Sequence, residues 1–492
     1  MSATSDWTSA WARFRPQAEV IHDAGTGRRW TWDQLHQDSL AWAATLAAAG
    51  VGPGERVAVL ALNRGETLAL LFAAAHLGAI LFPMNWRLSP AELAWQVGHC
   101  EPAILVHDAP HAALAGTLGL PLRAMDEGPD RSLSVPPRAE TGNGLDDPWQ
   151  LMYTSGSSGR PKGALLTHGQ VHWNALNTIL ACELRSGDST LTFAPLFHTG
   201  GMNSLTTPLL HCGGRVVLVP RLEPAQALDL VSRERISHLM GVPTIYQLLA
   251  DHPAFALTDL GSVKDAICGG APLGSALLQR YLDRGIPLRQ GFGLTEVGPN
   301  CFSTPPDRVQ EKLGTVGLPI HHLQARIVRP DGSPCAPGEP GELLLRGPVV
   351  CAGYWRDPDA TAAAMAGGWF RTGDVLSVDA DGFFTVRGRL KEMFISGGEN
   401  VYPAEVEAVI QGHPQVAAAA VVGVPDPRWG EVGRAFIEPV PGASLSPDEL
   451  RSWLDGRLAR FKAPKHVQVL AALPRTGSGK VDKPALSRLP LA

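Results

Sequence analysis

Charge is scarce in this chain. Asp, Glu, Lys and Arg make up 18% of its 492 residues, and 42 basic against 47 acidic side chains leave a formal net charge of −5. No basic stripe interrupts that balance, which excludes a dedicated nucleic-acid binder. The seven cysteines (Cys100, Cys182, Cys212, Cys268, Cys301, Cys335, Cys351) are scattered, and none forms a C-x-x-C pair. Neither a zinc site nor a redox dithiol is therefore expected, and the thiols read as the reduced, packed cysteines of a cytoplasmic protein. The first 15 residues lack a basic segment followed by an apolar core, so no signal peptide is read there. Internal repeats and low-complexity tracts are also missing. One apolar stretch, 68–82 (LALLFAAAHLGAILF), falls short of the ~20 residues that cross a bilayer, and His76 and Gly78 interrupt it. A buried helix followed by a short strand is the reading set against a membrane span.

Apolar side chains, by contrast, make up 45% of the chain, enough to fill large cores. At ~150 residues per domain the length suggests about three folding units. Gly (53) and Pro (41) together form roughly a fifth of the chain, against ~12% from average usage. With no collagen period, the excess belongs in turns and tight loops. Up to about residue 110, helix and strand patterns alternate: helix 32–49, strand 56–61, helix 66–76, strand 79–83, helix 90–99 and strand 103–106. Strands separated by helices imply βαβ units and a mainly parallel sheet. Residues 109–147 read as irregular connection, as do the Gly and Pro of 330–348, and a second βα run carries strand candidates at 190–193, 215–219, 238–241 and 265–268. From 313 to 390 short strands alternate with hairpin turns at Asp331-Gly332 and Asp381-Gly382. An α+β tail follows: helix 404–411, strand 417–422, helix 447–460 and strand 466–470.

The strongest local signal is Leu151-Met-Tyr-Thr-Ser-Gly-Ser-Ser-Gly-Arg-Pro-Lys-Gly163. Thr154, Ser155, Gly156, Ser157, Ser158 and Gly159 form an unbroken hydroxyl and glycine run, with Lys162 close behind. Glycines let successive N–H groups converge on an anion, hydroxyls add donors, and the lysine supplies charge. Gly159 is not followed by Lys, and Gly163 is followed by Ala164, so the Walker pattern does not fit. The loop suits a polyphosphate on a different scaffold. A flexible linker is the alternative, for which Tyr153, Pro161 and Lys162 are poor chemistry.

Further segments extend the pattern: Gln290-Gly-Phe-Gly-Leu-Thr-Glu296, Arg371-Thr-Gly-Asp374, Gly388-Arg-Leu-Lys391 running on to Ser396-Gly-Gly-Glu399, and Pro474-Arg-Thr-Gly-Ser-Gly-Lys480. In this order, from about Trp30 to Lys483, they resemble the adenylate-forming superfamily of acyl-CoA synthetases. The resemblance implies an α/β fold. A large N-terminal domain (1–390) would hold two βα-layered subdomains plus a small β-barrel-like unit, and a small mobile α+β domain (391–492) would carry an adenylation lysine. It also implies an acid–CoA ligase that uses ATP, Mg²⁺ and coenzyme A as co-substrate. The carboxylate first attacks the α-phosphorus of ATP, and CoA then displaces AMP from the acyl-AMP.

Carried over residue by residue, Thr154 to Gly159 and Lys162 match the pyrophosphate loop, with Ser157-Ser158 where Thr-Thr is usual. Gly269, Gly270 and Ala271 match the segment along the adenine, followed by Gly291, Phe292 (in place of the commoner tyrosine) and Gly293. Thr295 would contact the α-phosphate, and Glu296, with the Thr154 hydroxyl, would hold Mg²⁺. Asp374 and Arg389 would bind the ribose, and Lys480 would bridge the carboxylate and the α-phosphate. Lys391 matches the hinge. Ser396, Gly397 and Gly398 match the thiol channel that the carboxy-terminal domain would present after rotating from an adenylating to a thioesterifying pose. His198 matches a gate beside the acyl pocket, whose wall would include Met202, Leu205, Val297 and Cys301. No acidic residue follows His198 through Leu205 to pair a substrate ammonium, which argues against an amino acid. The apolar wall favours a medium- or long-chain fatty acid, with an aryl or cinnamate-type acid as the alternative. Loading of a carrier protein in place of CoA, and a non-catalytic nucleotide-binding relative, are the other readings. A homodimer is also left open.

Overall fold

The computed structural model describes residues 6–137, 144–154, 161–271, 273–396, 399–476 and 479–490. Short-range sequence chemistry starts and stops its helices. Thr31 and Gln34 form a capping box on Trp32–Ala48, and Ser89 and Glu92 form another on Pro90–Cys100, each satisfying backbone donors that the first turn leaves free. Helix Gly65–Leu77 ends where Gly78 enters the left-handed region at φ 67°. This helix and strand Ile80–Pro83 are the apolar stretch singled out above, and both are buried. Among the described residues no helix is long and apolar enough to cross a membrane.

The alternating patterns build two large sheets. Strands Ile104–His107 and Ile80–Pro83 flank Arg56–Leu60 in parallel. The same sheet adds Leu122–Ala124 at one edge and the antiparallel pair Pro148–Thr154 and Lys162–Thr167 at the other. The second sheet runs Leu288–Gln290, Asp265–Cys268, His238–Gly241, Ser189–Thr192, Arg215–Leu218, Glu19–Asp23 and Arg29–Thr31, parallel except at the last pair. A shared core of Trp30, Trp42, Trp149, Leu71, Val171 and Leu209 fills the space between the two sheets. At the second sheet's far side Arg289 is almost wholly buried, its Nε donating to Asp265 Oδ1 at 2.7 Å.

Strands Phe292–Leu294, Gly298–Ser303 and Leu318–Pro319 form a small antiparallel sheet, and residues 324–389 form a five-stranded one. A backbone bridge between Gly317 and Phe384 joins them. The carboxy-terminal sheet contains Glu399–Val401, Phe394–Ser396, Gly430–Pro439, Val416–Asp426 and His466–Val469, over a core of Phe394, Val406, Ile410 and Ile437.

The structure corrects three expectations. The connection 109–147 contributes helix Ala112–Gly116 and edge strand Leu122–Ala124. Within 330–348, also read as connection, Gly341–Arg346 is an inner strand, because Glu342 to Leu345 are buried behind a Pro- and Gly-rich lead-in. The helix read as 447–460 stops at Leu454, with Gly456 at φ 72° just beyond it.

The amino-terminal helix Trp7–Phe14 packs on a histidine pair. His211 Nε2 lies 3.1 Å from His172 Nδ1, and Trp7 meets His211 edge-on at 4.7 Å. Burial, then the neighbouring His172, pushes His211 down to about 4. The folded value lies below the unfolded one of ~6.5, so the neutral ring's contribution is complete above pH ~6.5 and is lost as pH falls toward 4. The thermal midpoint should drop across that window, and His211→Gln should flatten the drop. Thermal melts at stepped pH, read by Trp fluorescence, check both.

Candidate active site

Ser155, Gly156, Ser157, Ser158, Gly159, Gly397 and Gly398 lie outside the described residues, and the ends of the first loop are described. Thr154 and Lys162 face each other across the antiparallel pair that the loop joins, with the Thr154 hydroxyl donating to the Lys162 carbonyl at 3.4 Å. Lys162 Nζ stands 4.9 Å from the ring centre of Tyr354. Tyr354 belongs to a strap, residues 351–355, laced along the strand after the loop. Leu165 N donates to Gly353 O at 2.9 Å, and Trp355 N donates to Gly163 O at 2.7 Å. The strap also reaches the turn that carries Glu296. Cys351 N donates to Glu296 O at 2.7 Å, and the Tyr354 hydroxyl donates to Glu296 Oε1 at 3.0 Å. Thr295, buried beside it, accepts through its carbonyl from Gln170 Nε2 at 3.2 Å.

Gln290 joins two more of the singled-out segments. Its Nε2 donates to Ala271 O at 3.1 Å, and its Oε1 accepts from Leu273 N at 2.6 Å. Gly269 N donates to Gly241 O at 3.0 Å, and Gly270 follows with φ 80°. Gly291 N donates to Cys268 O at 2.7 Å, and Phe292 meets Phe302 edge-on at 5.7 Å. Gly293 has no substitute here, since a Cβ would lie 2.1 Å from the Pro299 carbonyl oxygen.

Asp374 and Arg389 sit opposite each other on neighbouring strands, with Arg389 Nε 2.8 Å from Asp374 Oδ1. Burial raises the Asp374 carboxyl above its usual range, opposed by Arg389 and Lys480. Lys480 lies on a hairpin closed by a bridge between Arg475 and Val481 and by Thr476 N donating to Lys480 O at 2.7 Å. Lys480 keeps solvent contact, yet the surrounding protein lowers its pKa. Desolvation acts first and Arg389 second, against Asp374, Glu296 and Glu392. The structure thus brings Lys480 into the field of Asp374, Arg389 and Glu296, which come from three separate segments. Desolvation, with Lys480 and Arg87 adding to it, lowers His198 to about 4, so His198 is neutral at pH 7.

Just beyond the hairpin, Lys483 Nζ lies 2.7 Å from Glu392 Oε2 and 2.8 Å from Glu407 Oε1. Lys391 is exposed in the turn after Arg389. Ser396 is buried in the carboxy-terminal sheet, in register with Glu399 and Gly430. His198 caps the short helix Thr199–Gly201, its Nδ1 accepting from Gly200 N at 3.0 Å. Met202, Leu205, Val297 and Cys301 are all packed inside cores, at most 3% exposed. Behind Gly291 lies a narrow cavity lined by Ile267, Phe302, Ile320, Thr178 and Asn300.

The donor set suits a hard cation. Among the described residues the Glu296 carboxylate takes a neutral hydroxyl, so its charge stays available. No group of three or more His, Cys, Asp or Glu side chains among the described residues could hold a metal. The Glu296 carboxylate suits Mg²⁺, which binds through one or two carboxylates and completes its shell with phosphate and water. Sequence reasoning missed Tyr354, Gln170 and Lys483. Only Gly353-Tyr-Trp355, a glycine followed by two aromatics, hinted at the first.

The model of the AMP-binding enzyme family matches residues 8–355, and that of the AMP-binding enzyme C-terminal domain matches 405–480. A feruloyl-CoA synthase of Amycolatopsis sp. is 43% identical over 488 residues, covering 98% of each chain. An indoleacetate–CoA ligase of Aromatoleum aromaticum is 40% identical over 462 residues, 91% of this chain and 90% of that one. The o-succinylbenzoate CoA synthetase of Bacillus subtilis, solved with its acyl-adenylate intermediate, superposes with a TM-score of 0.90 at 30% identity over 99% and 98% of the two chains. With its sequence matched from residue 8 through residue 355, and again near its carboxy terminus, the chain belongs to the AMP-binding enzyme family.

Proposed function

We propose that this AMP-forming acid–thiol ligase joins an aromatic carboxylic acid to coenzyme A through an acyl-AMP. The observation that carries the reading is the 43% identity to a feruloyl-CoA synthase over 98% of both chains. The sequence had favoured a fatty acid. The relatives named above are instead ligases of aromatic acids, and the aryl alternative replaces it.

In this reading Asp374 and Arg389 take the ribose, while the backbone of Gly269, Gly270, Ala271 and Gly291 to Gly293 lies along the adenine with the Phe292 ring. Thr154, Lys162 and the loop between them take the β- and γ-phosphates, and Thr295 meets the α-phosphate. Glu296 and the Thr154 hydroxyl would hold Mg²⁺, which when bound offsets charge on the departing pyrophosphate. Lys480 draws the acid's carboxylate and the α-phosphate together, stabilising charge where the new bond forms. A neutral His198 beside it adds no further positive charge to that of the lysine. Residues 391–492 then turn about Lys391, withdrawing Lys480 and presenting Ser396, Gly397 and Gly398 to the CoA thiol. We place the reaction in the cytoplasm, where ATP and CoA are supplied.

The test is AMP release with ATP, Mg²⁺ and free CoA across cinnamate-type, benzoate, indoleacetate, and medium- and long-chain fatty acids. Aromatic acids should exceed fatty acids by about tenfold or more in kcat/KM, the discrimination that a shaped apolar pocket achieves. The reverse order would overturn the choice of acid, and no AMP with any acid would overturn the ligase reading.

A further inference from the structure

We propose that Tyr354 is a positioning residue that couples the two phosphate-handling ends of the site, orienting the Glu296 carboxylate for a divalent cation and restraining Lys162. This rests on the reading of Glu296 as the cation's carboxylate and deepens it. One side chain touches both partners: its hydroxyl donates to Glu296 Oε1 at 3.0 Å, and Lys162 Nζ lies 4.9 Å from its ring centre.

The chemistry of the two contacts is matched to that task. A carboxylate free to rotate would turn toward Lys480, whose charge shares its field. A basic partner would hold it still but would compete with the incoming cation. A neutral hydroxyl fixes one oxygen and leaves the negative charge intact. The ring face likewise attracts the Lys162 ammonium without neutralising it, which preserves its charge for phosphate. The Tyr354 backbone is itself anchored. It bridges to Ala164, and its N–H donates to Thr361 Oγ1 at 2.9 Å. The ring is therefore a fixed post against which both mobile charges rest.

The test uses the full chain with Mn²⁺ and α,β-methylene-ATP as probes. Tyr354→Phe keeps the ring and should weaken Mn²⁺ binding, read by electron paramagnetic resonance, about tenfold, the weight of one hydrogen bond to a charged group. Its thermal midpoint should match wild type, and its Mg²⁺ requirement for AMP release should rise by the same factor. In a Glu296→Gln background the same change should add little, because the coupling runs through that carboxylate. Tyr354→Leu, which also removes the ring, should lower nucleotide affinity at saturating Mn²⁺ several-fold further. Wild-type Mn²⁺ affinity in Tyr354→Phe, or an undiminished penalty in the Glu296→Gln background, would overturn the proposal. A wild-type protein that binds Mn²⁺ and nucleotide but releases no AMP would overturn the ligase reading instead.

Discussion

Lys480→Ala should cut acyl-adenylate formation about 10³-fold and largely spare thioester formation from supplied acyl-AMP. The magnitude follows from removing the charge aimed at the forming bond, an effect of 10²–10³ even for a neutral donor. Desolvation and Arg389 already disfavour the ammonium in this cleft, while Asp374, Glu296 and Glu392 favour it. The site thus holds the lysine at an electrostatic cost that a bound carboxylate and phosphate would relieve. The second half-reaction forms no bond at the α-phosphorus, so it has no use for that charge. Pyrophosphate exchange measures the first step, and CoA thioester formation from synthetic acyl-AMP measures the second. Equal loss of both would remove the assignment of Lys480 to one step.

Asp374→Asn is the second large effect, of the opposite kind. The substitution should raise the KM for ATP about 10²-fold and change kcat little, because ribose contacts are made equally in ground and transition states. Two hydrogen bonds to a carboxylate weaken to two at a neutral amide, roughly 2–3 kcal/mol together. Stability should not fall with affinity. Burial holds the Asp374 carboxyl above its usual range despite Arg389 and Lys480. A carboxyl whose folded pKa is raised makes the protein less stable as pH rises through the interval between unfolded and folded values. Above that interval the ionised group is a burden on the fold that asparagine removes. Steady-state kinetics in ATP and a thermal melt at pH 7 check both halves. A raised KM with a lowered melting point would mean that Asp374 serves the fold first.

The sequence made the parallel sheets legible because their strands are short apolar runs bounded by turn residues and separated by amphipathic helices. Strands His238–Gly241 and Asp265–Cys268 fall where the pattern puts them. Strand Gly341–Arg346 did not stand out, since Pro and Gly before it outweighed a single Glu342-Leu-Leu-Leu345 run. The inner strand Glu19–Asp23 pairs with Arg215–Leu218, far along the chain, and no local pattern encodes such a pairing. For the site, glycine and hydroxyl clusters pointed to the loops, because backbone that meets phosphate or base needs those residues. Tyr354, Gln170 and Lys483 act through contacts with residues distant in sequence, and one tyrosine, glutamine or lysine carries no spacing signal. The acid was the least legible part, since an apolar wall accepts an alkyl chain and a ring alike.

Lys483 has a consequence for how the lysine is delivered. With its ammonium between Glu392 and Glu407, it ties the base of the Lys480 hairpin to the residue following Lys391 and to the helix Pro403–Gln411. A lysine on a slack tether would visit the cleft at random, at a local concentration set by tether length. A lysine on a clamped arm has no such search. In the proposed reaction its presence or absence would follow the angle of the whole carboxy-terminal unit, so one rotation would act as a lever that sets the timing of the first chemical step.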